Sequence, residues 1–494
     1  MSPRQQRKSV EVTPSRGARA RVHVACVALA LGLVAPTGCN WSRFADEADK
    51  APVRSIGAPG GFDSADFGKS ITPLSSGFGS AAAFVATSIN ESHLVLVQIE
   101  RNGSVHSTAM AESALQDVAG SAITSVVEVP AATAGTVPTK LLLGTPLVKN
   151  EDFGQMYTLE LPEPSTTPGT SPFGGASVRR FPVPSLTSTN SGLGRGLAVG
   201  RLSGMAAPDY IVGSDNDLAV AVGGVATATS PTASLAVGAC DVGYDNMQAN
   251  RFLVRRPLLA AHLWPDPAAA SADQLIVGLT HTGATPGKIA FMGLGASGAL
   301  ECLAVEVGTA PQFGHALVTG DFDGDGHLDL LVGAPGQDAF IYRNFAAQPL
   351  GTVPPSPLAI HAAGGLDFGF AVAALNVDGA LGDEAVISDP RATVGGKAGA
   401  GHVLVYKFNP ATTSMELDRE LADLSPEADA SFGYTVNALP FCTADPATVG
   451  DGACPTANAA RVLLIGGANE VFLYYRVGEI PLQPSQTVAD VRTP

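Results

Sequence analysis

Short stretches of alternating apolar and polar residues recur along most of this chain, separated by turns rich in Gly and small residues. In three segments the pattern aligns without a gap, at residues 313–335, 368–390 and 193–215. Each segment has an apolar residue and Gly, then a short strand, a turn of about eight residues, a second apolar strand and a small-residue turn before a third strand. The pattern therefore predicts three or four antiparallel strands per repeat.

Looser copies of this unit fill the rest of the chain. The seven copies begin near residues 67, 121, 193, 252, 313, 368 and 432. A repeat of about 60 residues with this strand content is typical of a β-propeller, because one sheet buries both faces only against neighbouring sheets around an axis. We predict an all-β fold, a seven-bladed β-propeller over residues 67–494, after a linker at 39–66. Either residues 51–66 or Pro481–Val488 could supply the outer strand that closes the ring.

Composition and charge exclude several classes of protein. The chain has 494 residues, with 56 Gly and 36 Pro, and 45% of its residues are hydrophobic. This apolar fraction excludes a wholly disordered chain, and the Gly and Pro content excludes a mainly helical one. The net charge of −16 argues against nucleic acid as a partner, because phosphate binding needs a basic surface.

Residues 1–38 have the pattern of an export signal. An Arg-rich segment, 1–21, precedes the apolar run Val24–Ala35, which is too short to span a bilayer. The run leads into PTGC, which resembles a bacterial lipobox ending at Cys39, the residue that would be lipidated. We expect an exported protein at the cell envelope, an outer-membrane lipoprotein that is periplasmic or surface-facing and contacts the membrane through its lipid alone. An ordinary secretion signal is the alternative.

Four further cysteines follow, and an even number in an exported protein suggests two disulfides. Three pairings are possible. We favour Cys442 with Cys454, which flank a polar segment bearing Gly and Pro, and Cys240 with Cys302. A Cys-based metal site is the alternative, but the chain has no CxxC pair.

Four carboxylates crowd one turn of the fifth repeat, in the sequence DFDGDGHLD. Asp321, Asp323, Asp325 and Asp329 repel one another unless a cation binds among them. Hard cations that take six to eight oxygen ligands, chiefly Ca²⁺, suit this density, and the carbonyl of His327 could add a ligand. The loop is not an EF-hand, because its twelfth position lacks Glu and strands are predicted on both sides. We predict a calcium site here.

The corresponding loop of the sixth repeat retains only part of this set. It has Asn376, Asp378 and Glu384, with Ala380 in place of the central carboxylate, and this predicts at most weak calcium binding. The third repeat keeps only Asp209, and we expect no metal there.

The strings FG, GD-DGDG-D and VGAP in residues 313–335 resemble the FG-GAP repeat, the unit of the seven-bladed propeller at the head of integrin α subunits. The resemblance implies a propeller, calcium in the inter-strand loops, and binding or adhesion more often than catalysis. Integrin-type heads carry three or four complete loops. This chain has one, so we expect a mainly local structural role for the ion.

The chain lacks the GxSxG, HExxH and P-loop patterns of common catalytic sites. The GxGxxG string at 293–298 precedes a strand pattern rather than a helix, so we predict a hairpin turn. We expect a non-catalytic binding or adhesion platform for protein or glycan at the cell envelope, and not an enzyme. The alternatives are a propeller enzyme acting on polysaccharide, as a lyase or hydrolase, and a structural subunit of an envelope assembly.

Overall fold

The computed structural model describes most of the chain between residues 53 and 474. The described residues are 53–58, 67–75, 80, 82–88, 93–99, 105–110, 123–130, 139–146, 154–162, 173, 176–181, 192–214, 218–221, 223, 233–235, 240, 257–265, 272–280, 285–295, 298–310, 312–336, 338–362, 365–376, 380–423, 425–442 and 459–474. The predicted export signal, Cys39, Cys454 and the segment Pro481–Val488 lie outside them.

The described strands form seven antiparallel sheets of four strands each, here called blades 1 to 7. The strands, from the first to the fourth of each blade, are Phe67–Leu74, Ala82–Ser88, Leu94–Ile99 and Val105–Ala109 (blade 1); Ser125–Val129, Thr139–Thr145, Gln155–Leu161 and Ser177–Arg180 (blade 2); Gly196–Gly200, Asp209–Gly213, Leu218–Ala221 and Ala233–Leu235 (blade 3); Leu258–Ala261, Gln274–Leu279, Lys288–Leu294 and Leu300–Val307 (blade 4); Ala316–Gly320, Asp329–Ala334, Asp338–Tyr342 and Leu358–His361 (blade 5); Val372–Leu375, Glu384–Asp389, His402–Asn409 and Ser414–Ala422 (blade 6); and Thr435–Cys442, Ala459–Gly466, Glu470–Tyr474 and Val53–Gly57 (blade 7). A 3-10 helix, Phe345–Ala347, follows the third strand of blade 5.

Residues 51–494 form one compact unit, in which the first strands of adjacent blades contact one another in a closed cycle. These strands therefore line the axis of a seven-bladed β-propeller. The prediction of an all-β propeller is confirmed, and the seven first strands lie at or within a few residues of the predicted repeat starts.

The ring closes through a strand from the N-terminal side. Val53–Gly57 pairs antiparallel with Glu470–Tyr474, with Val53 opposite Tyr474 and Gly57 opposite Glu470. The side chain of Ile56 is buried in the apolar cluster between blades 7 and 1. The segment predicted as a linker, 39–66, therefore contains the outer strand of the last blade, and this strand fills the place for which Pro481–Val488 was the other candidate.

Apolar clusters lie between every pair of adjacent blades. The second strand of blade 5, Asp329–Ala334, is buried along its whole length. Such a strand has a neighbouring sheet on both faces, so its sequence is a continuous apolar run rather than an alternating one. This packing explains why the strongest repeat signals are strings such as LLVGA.

An FG pair stands at or just before the first strand of blades 1, 5, 6 and 7 and packs at a junction between blades. Phe368 is fully buried between blades 5 and 6, where its ring meets that of Tyr406 edge-on. Gly369 adopts φ +94°, and a Cβ there would lie 2.6 Å from the carbonyl oxygen of Asp338 in blade 5. Phe thus fills the gap between two sheets, and Gly permits the left-handed turn and the close backbone approach.

The GxGxxG string lies at a hairpin between two antiparallel strands of blade 4, where the amide of Gly295 donates to the carbonyl of Ala299. The part of the chain that the structure describes contains no helix with the length and hydropathy of a membrane-spanning segment.

Candidate functional site

The Asp-rich loop connects the first and second strands of blade 5, and the carboxylate of Asp321 organises it. One oxygen of Asp321 accepts the amides of Gly324 at 2.8 Å and Asp325 at 3.0 Å, and the other accepts that of Gly326 at 2.9 Å. Gly324 and Gly326 have φ of +78° and +86°, which side-chain-bearing residues adopt at a cost. The two glycines therefore let the backbone wrap around one carboxylate.

Three carboxylates converge inside this turn. Asp321, Asp323 and Asp325 each place an oxygen within 4.8 Å of the others. Asp325 is exposed, and its Oδ1 accepts the amide of His327 at 2.8 Å. Oxygens gathered at this density suit a hard cation such as Ca²⁺. The structure thus brings together three of the predicted metal ligands.

Asp329 is buried and Asp323 is partly buried, and each has one carboxylate oxygen with a hydrogen-bond partner. Oδ2 of Asp323 accepts a hydrogen bond from Arg343 Nη1 at 2.9 Å, and Oδ2 of Asp329 accepts the amide of Phe322 at 3.1 Å. Within the described part of the chain, Oδ1 of both residues is buried without a hydrogen-bond partner. A buried polar atom left unsatisfied costs about 1–3 kcal/mol, and more when the group is charged. A cation would remove this cost.

Electrostatics at Asp329 fit the same interpretation. Burial, together with the neighbouring charges of Asp323 and Asp325, raises the pKa of its carboxyl to about 7, although the backbone amides of Phe322 and Asn344 act in the opposite direction. A carboxylate that avoids ionisation in its own surroundings is one that a divalent ion would stabilise in the charged form. The residues present therefore fit a calcium ion.

The equivalent positions of blades 3 and 4 are satisfied by the protein itself. Both oxygens of Asp209, which aligns with Asp329, accept hydrogen bonds from Ser203 and from the amide of Gly223, at 2.7–3.0 Å. In blade 4, Oε1 of Gln274 accepts the amides of Leu263 and Trp264 at 2.8 and 3.2 Å. A buried acceptor at the start of the second strand thus supports the preceding loop in several blades.

The loop of blade 6 is closed by an amide rather than by carboxylates. The side-chain nitrogen of Asn376 donates to the carbonyls of Ala380 and Gly382 at 2.7 and 2.8 Å. Gly382 aligns with His327, so the carbonyl at the predicted seventh-position ligand is already hydrogen-bonded here. Glu384 is buried, and Asp378 lies outside the described residues. The second calcium loop stays a prediction.

Sequence reasoning missed a contact that anchors the Asp-rich loop to the next blade. Oδ2 of Asp383 in blade 6 accepts the amide of Asp321 at 3.1 Å, and the amide of Asp383 donates to the carbonyl of Asp321 at 2.6 Å. Asp273 and Arg201 make the same reciprocal pair between blades 4 and 3, at 2.7 and 3.1 Å. The available signal was an Asp directly before the second strand in blades 4 and 6.

Residues that directly follow the FG pairs form a second feature, at the opposite end of the first strands. The ring of His315 lies 4.8 Å from that of Phe370, Phe370 lies 5.0 Å from Tyr434, and Lys69 Nζ lies 5.2 Å from the Tyr434 centroid. We call Lys69, His315, Phe370 and Tyr434 the axial collar. Because the first strands line the axis, these half-buried side chains lie around one mouth of the propeller. Burial lowers the pKa of His315 to about 4, which keeps it neutral near pH 7.

The structure joins Cys240 and Cys302 by a disulfide, with Cα atoms 5.3 Å apart, so the outer part of blade 4 is linked to the segment after blade 3. The side chain of Cys442 lies outside the described residues, as does Cys454, so their pairing stays a prediction.

Comparison with known families bears on blade 5. The family model for the FG-GAP repeat matches residues 313–353, which contain the Asp-rich loop and the first three strands of this blade. No curated protein sequence matches the chain significantly. The match and the seven-bladed architecture confirm the FG-GAP resemblance.

Proposed function

We propose that this protein is a calcium-binding β-propeller, exported and lipid-anchored through Cys39, that serves as a non-catalytic binding or adhesion platform for protein or glycan at the cell envelope. The observation that carries the calcium assignment is the pair of buried Oδ1 atoms of Asp323 and Asp329, which lack partners among the described residues beside a convergent carboxylate set.

Asp321, Asp323, Asp325 and Asp329 would hold the ion, which supplies the positive charge that offsets their mutual repulsion. Several carboxylates in one small loop favour Ca²⁺ over Mg²⁺, because Mg²⁺ usually keeps most of its water ligands and binds few protein carboxylates. Asp321 is itself hydrogen-bonded to Asp383 of blade 6. Calcium would therefore stabilise both the loop and the junction between blades 5 and 6.

The loop and the axial collar lie on opposite faces of the propeller, because His315 precedes the first strand of blade 5 and Asp321 follows it. A five-residue strand separates them by about 17 Å. Calcium would thus act on the stability of the platform rather than by direct contact with a ligand at the collar.

The collar supports binding as the function. It presents two aromatic rings, a cation and a neutral imidazole around one mouth, side chains that suit stacking on a sugar or an amide and pairing with an acidic group. Among the described residues, the cluster of three or more potential metal-ligating groups is the Asp321, Asp323 and Asp325 set, on the other face. This arrangement favours recognition at the collar and a structural role for the carboxylates.

The test is a glycan and envelope-protein binding screen with the mature protein, with and without EDTA. We expect one ligand class to bind, Phe370→Ala and Tyr434→Ala to weaken that binding at least tenfold, and Leu381→Ala to leave it unchanged. Leu381 is a matched control because it is an exposed apolar residue of blade 6 on the calcium face. Binding that ignores both collar substitutions would contradict this assignment of the surface, and turnover of a polysaccharide would contradict the non-catalytic role.

A further inference from the structure

Arg343 places a fixed positive charge against the calcium loop. It directly follows the third strand of blade 5, and its Nη1 lies 2.9 Å from Oδ2 of Asp323. The side chain of Asp323 is only 9% exposed and that of Arg343 22%. This is therefore a largely buried ion pair, which is screened far less by solvent and salt than an exposed one.

A contact with the next blade holds the guanidinium in place. The Arg343 Cζ atom lies 5.1 Å from the ring centroid of Phe408, in the third strand of blade 6. A guanidinium over an aromatic face gains a cation–π attraction, and its position is fixed from two sides. Arg343 thus spans the junction of two blades while it contacts a predicted calcium ligand.

We propose that Arg343 sets the calcium affinity of the loop. It does so by offsetting part of the carboxylate repulsion in the calcium-free protein and by opposing the ion in the bound protein. The inference rests on the calcium site proposed above.

Electrostatics gives the two effects opposite signs. Without calcium, Arg343 stabilises the loop because it neutralises Asp323 among the carboxylates. With calcium, a cation a few ångströms from the ion repels it, and even at water-like screening a +1/+2 pair at this range changes affinity about tenfold. Loss of the charge should therefore destabilise the free protein and tighten calcium binding. If Arg343 had a merely structural role, its replacement would lower both the stability of the calcium-free protein and the calcium affinity.

The experiment is calorimetric titration of the EDTA-treated full chain with CaCl₂, paired with thermal unfolding in EDTA and in calcium. For Arg343→Gln we expect about tenfold tighter binding, a lower Tm in EDTA and a larger calcium-induced rise in Tm. Arg343→Lys keeps the charge and should bind calcium within about threefold of wild type. Arg391→Gln is the matched control, because Arg391 pairs with Asp367 away from the loop at 3.7 Å, and it should leave the affinity unchanged.

Equal or weaker calcium binding by Arg343→Gln would overturn the inference while leaving the calcium site intact. If that variant does not fold, Arg343→Met replaces it, since the Met side chain keeps apolar packing against Phe408 without the charge. Absence of calcium binding by the wild type is a different outcome, and it would overturn the proposed site itself.

Discussion

Asp329 and Asp209 begin the second strands of blades 5 and 3 at equivalent positions of the repeat, yet their carboxylates differ in their partners. Both oxygens of Asp209 accept hydrogen bonds from the protein, through Ser203 and Gly223. Oδ1 of Asp329 is buried without one among the described residues. The chain thus completes the hydrogen bonding of this carboxylate in blade 3, whereas in blade 5 the described residues leave one of its oxygens without a hydrogen bond.

This difference predicts that the two residues respond differently to neutralisation. Asp329→Asn keeps an acceptor for the amide of Phe322 but removes the charge, so the calcium-induced rise in Tm should disappear. Asp209→Asn should lower the free energy of unfolding by about 1–3 kcal/mol in EDTA and in calcium alike, because it disturbs a buried hydrogen-bond network. Thermal unfolding of both variants in both buffers is the measurement. A calcium response that survives in Asp329→Asn would contradict the assignment.

The glycines of the FG pairs should not tolerate substitution by Ala, and the reason goes beyond their positive φ angle. Gly369→Ala would place a Cβ 2.6 Å from the Asp338 carbonyl oxygen and 2.8 Å from the Ala334 amide nitrogen. Gly298 has a similar φ of +78° but nothing within 4 Å of a Cβ, so Gly298→Ala is the matched control. We expect about 1 kcal/mol of destabilisation for the control and about 3 kcal/mol or more for Gly369→Ala, measured by urea unfolding. Equal losses would show that close approach of the blades does not matter.

Removal of the closing strand should open the ring. A chain lacking residues up to 58 loses the partner of Glu470–Tyr474 and exposes the edge and the apolar groups that Ile56 covers. We expect a lower Tm and concentration-dependent association, because an unpaired apolar edge strand recruits other chains. Removal of residues 481–494 is the control and should do neither. The reverse result, seen by size-exclusion chromatography with light scattering, would assign closure to the C-terminal tail.

The propeller should lose stability in mild acid through His315. Burial lowers the pKa of this residue to about 4 in the folded chain, against about 6.5 when unfolded. The unfolded chain therefore binds more protons between these values, and stability falls as pH drops from about 6.5 towards 4. Between pH 7.5 and 4.5, this group accounts for a loss of about 2 kcal/mol.

Between pH 7.5 and 4.5, the His315→Gln variant should lose about 2 kcal/mol less stability than the wild type does. Urea unfolding of both proteins at the two pH values measures the difference, with calcium held constant so that the loop carboxylates contribute equally. An equal decrease in the free energy of unfolding in the two proteins would show that His315 does not titrate on unfolding.

The sequence was sufficient for the blades because their signals are local. Apolar second strands recur in every blade, and FG pairs recur in blades 1, 5, 6 and 7, because these positions are buried between two sheets. The Asp-rich loop was equally local: Asp321, Asp323 and Asp325 converge within one turn, so spacing alone placed them together.

Contacts between residues that are far apart in the sequence could not be predicted from the repeat pattern. Val53–Gly57 lies in one of the two segments that could close the ring, but its partner lies at the far end of the chain, so the sequence did not decide between them. Asp383 contacts the Asp-rich loop from the next blade, and Arg343 contacts it from the end of the third strand of blade 5. Neither residue belongs to the loop motif. Neighbouring blades bring these residues together, and a one-dimensional repeat does not record which side chains cross a junction.

Calcium binding in blade 5 is tested most directly by a crystal structure grown with CaCl₂, with anomalous scattering measured at a long wavelength. We predict one anomalous peak within coordination distance of Asp321, Asp323, Asp325 and Asp329, and its loss in a crystal of Asp325→Asn. A loop that stays empty at millimolar calcium, or a peak elsewhere with none in blade 5, would contradict it.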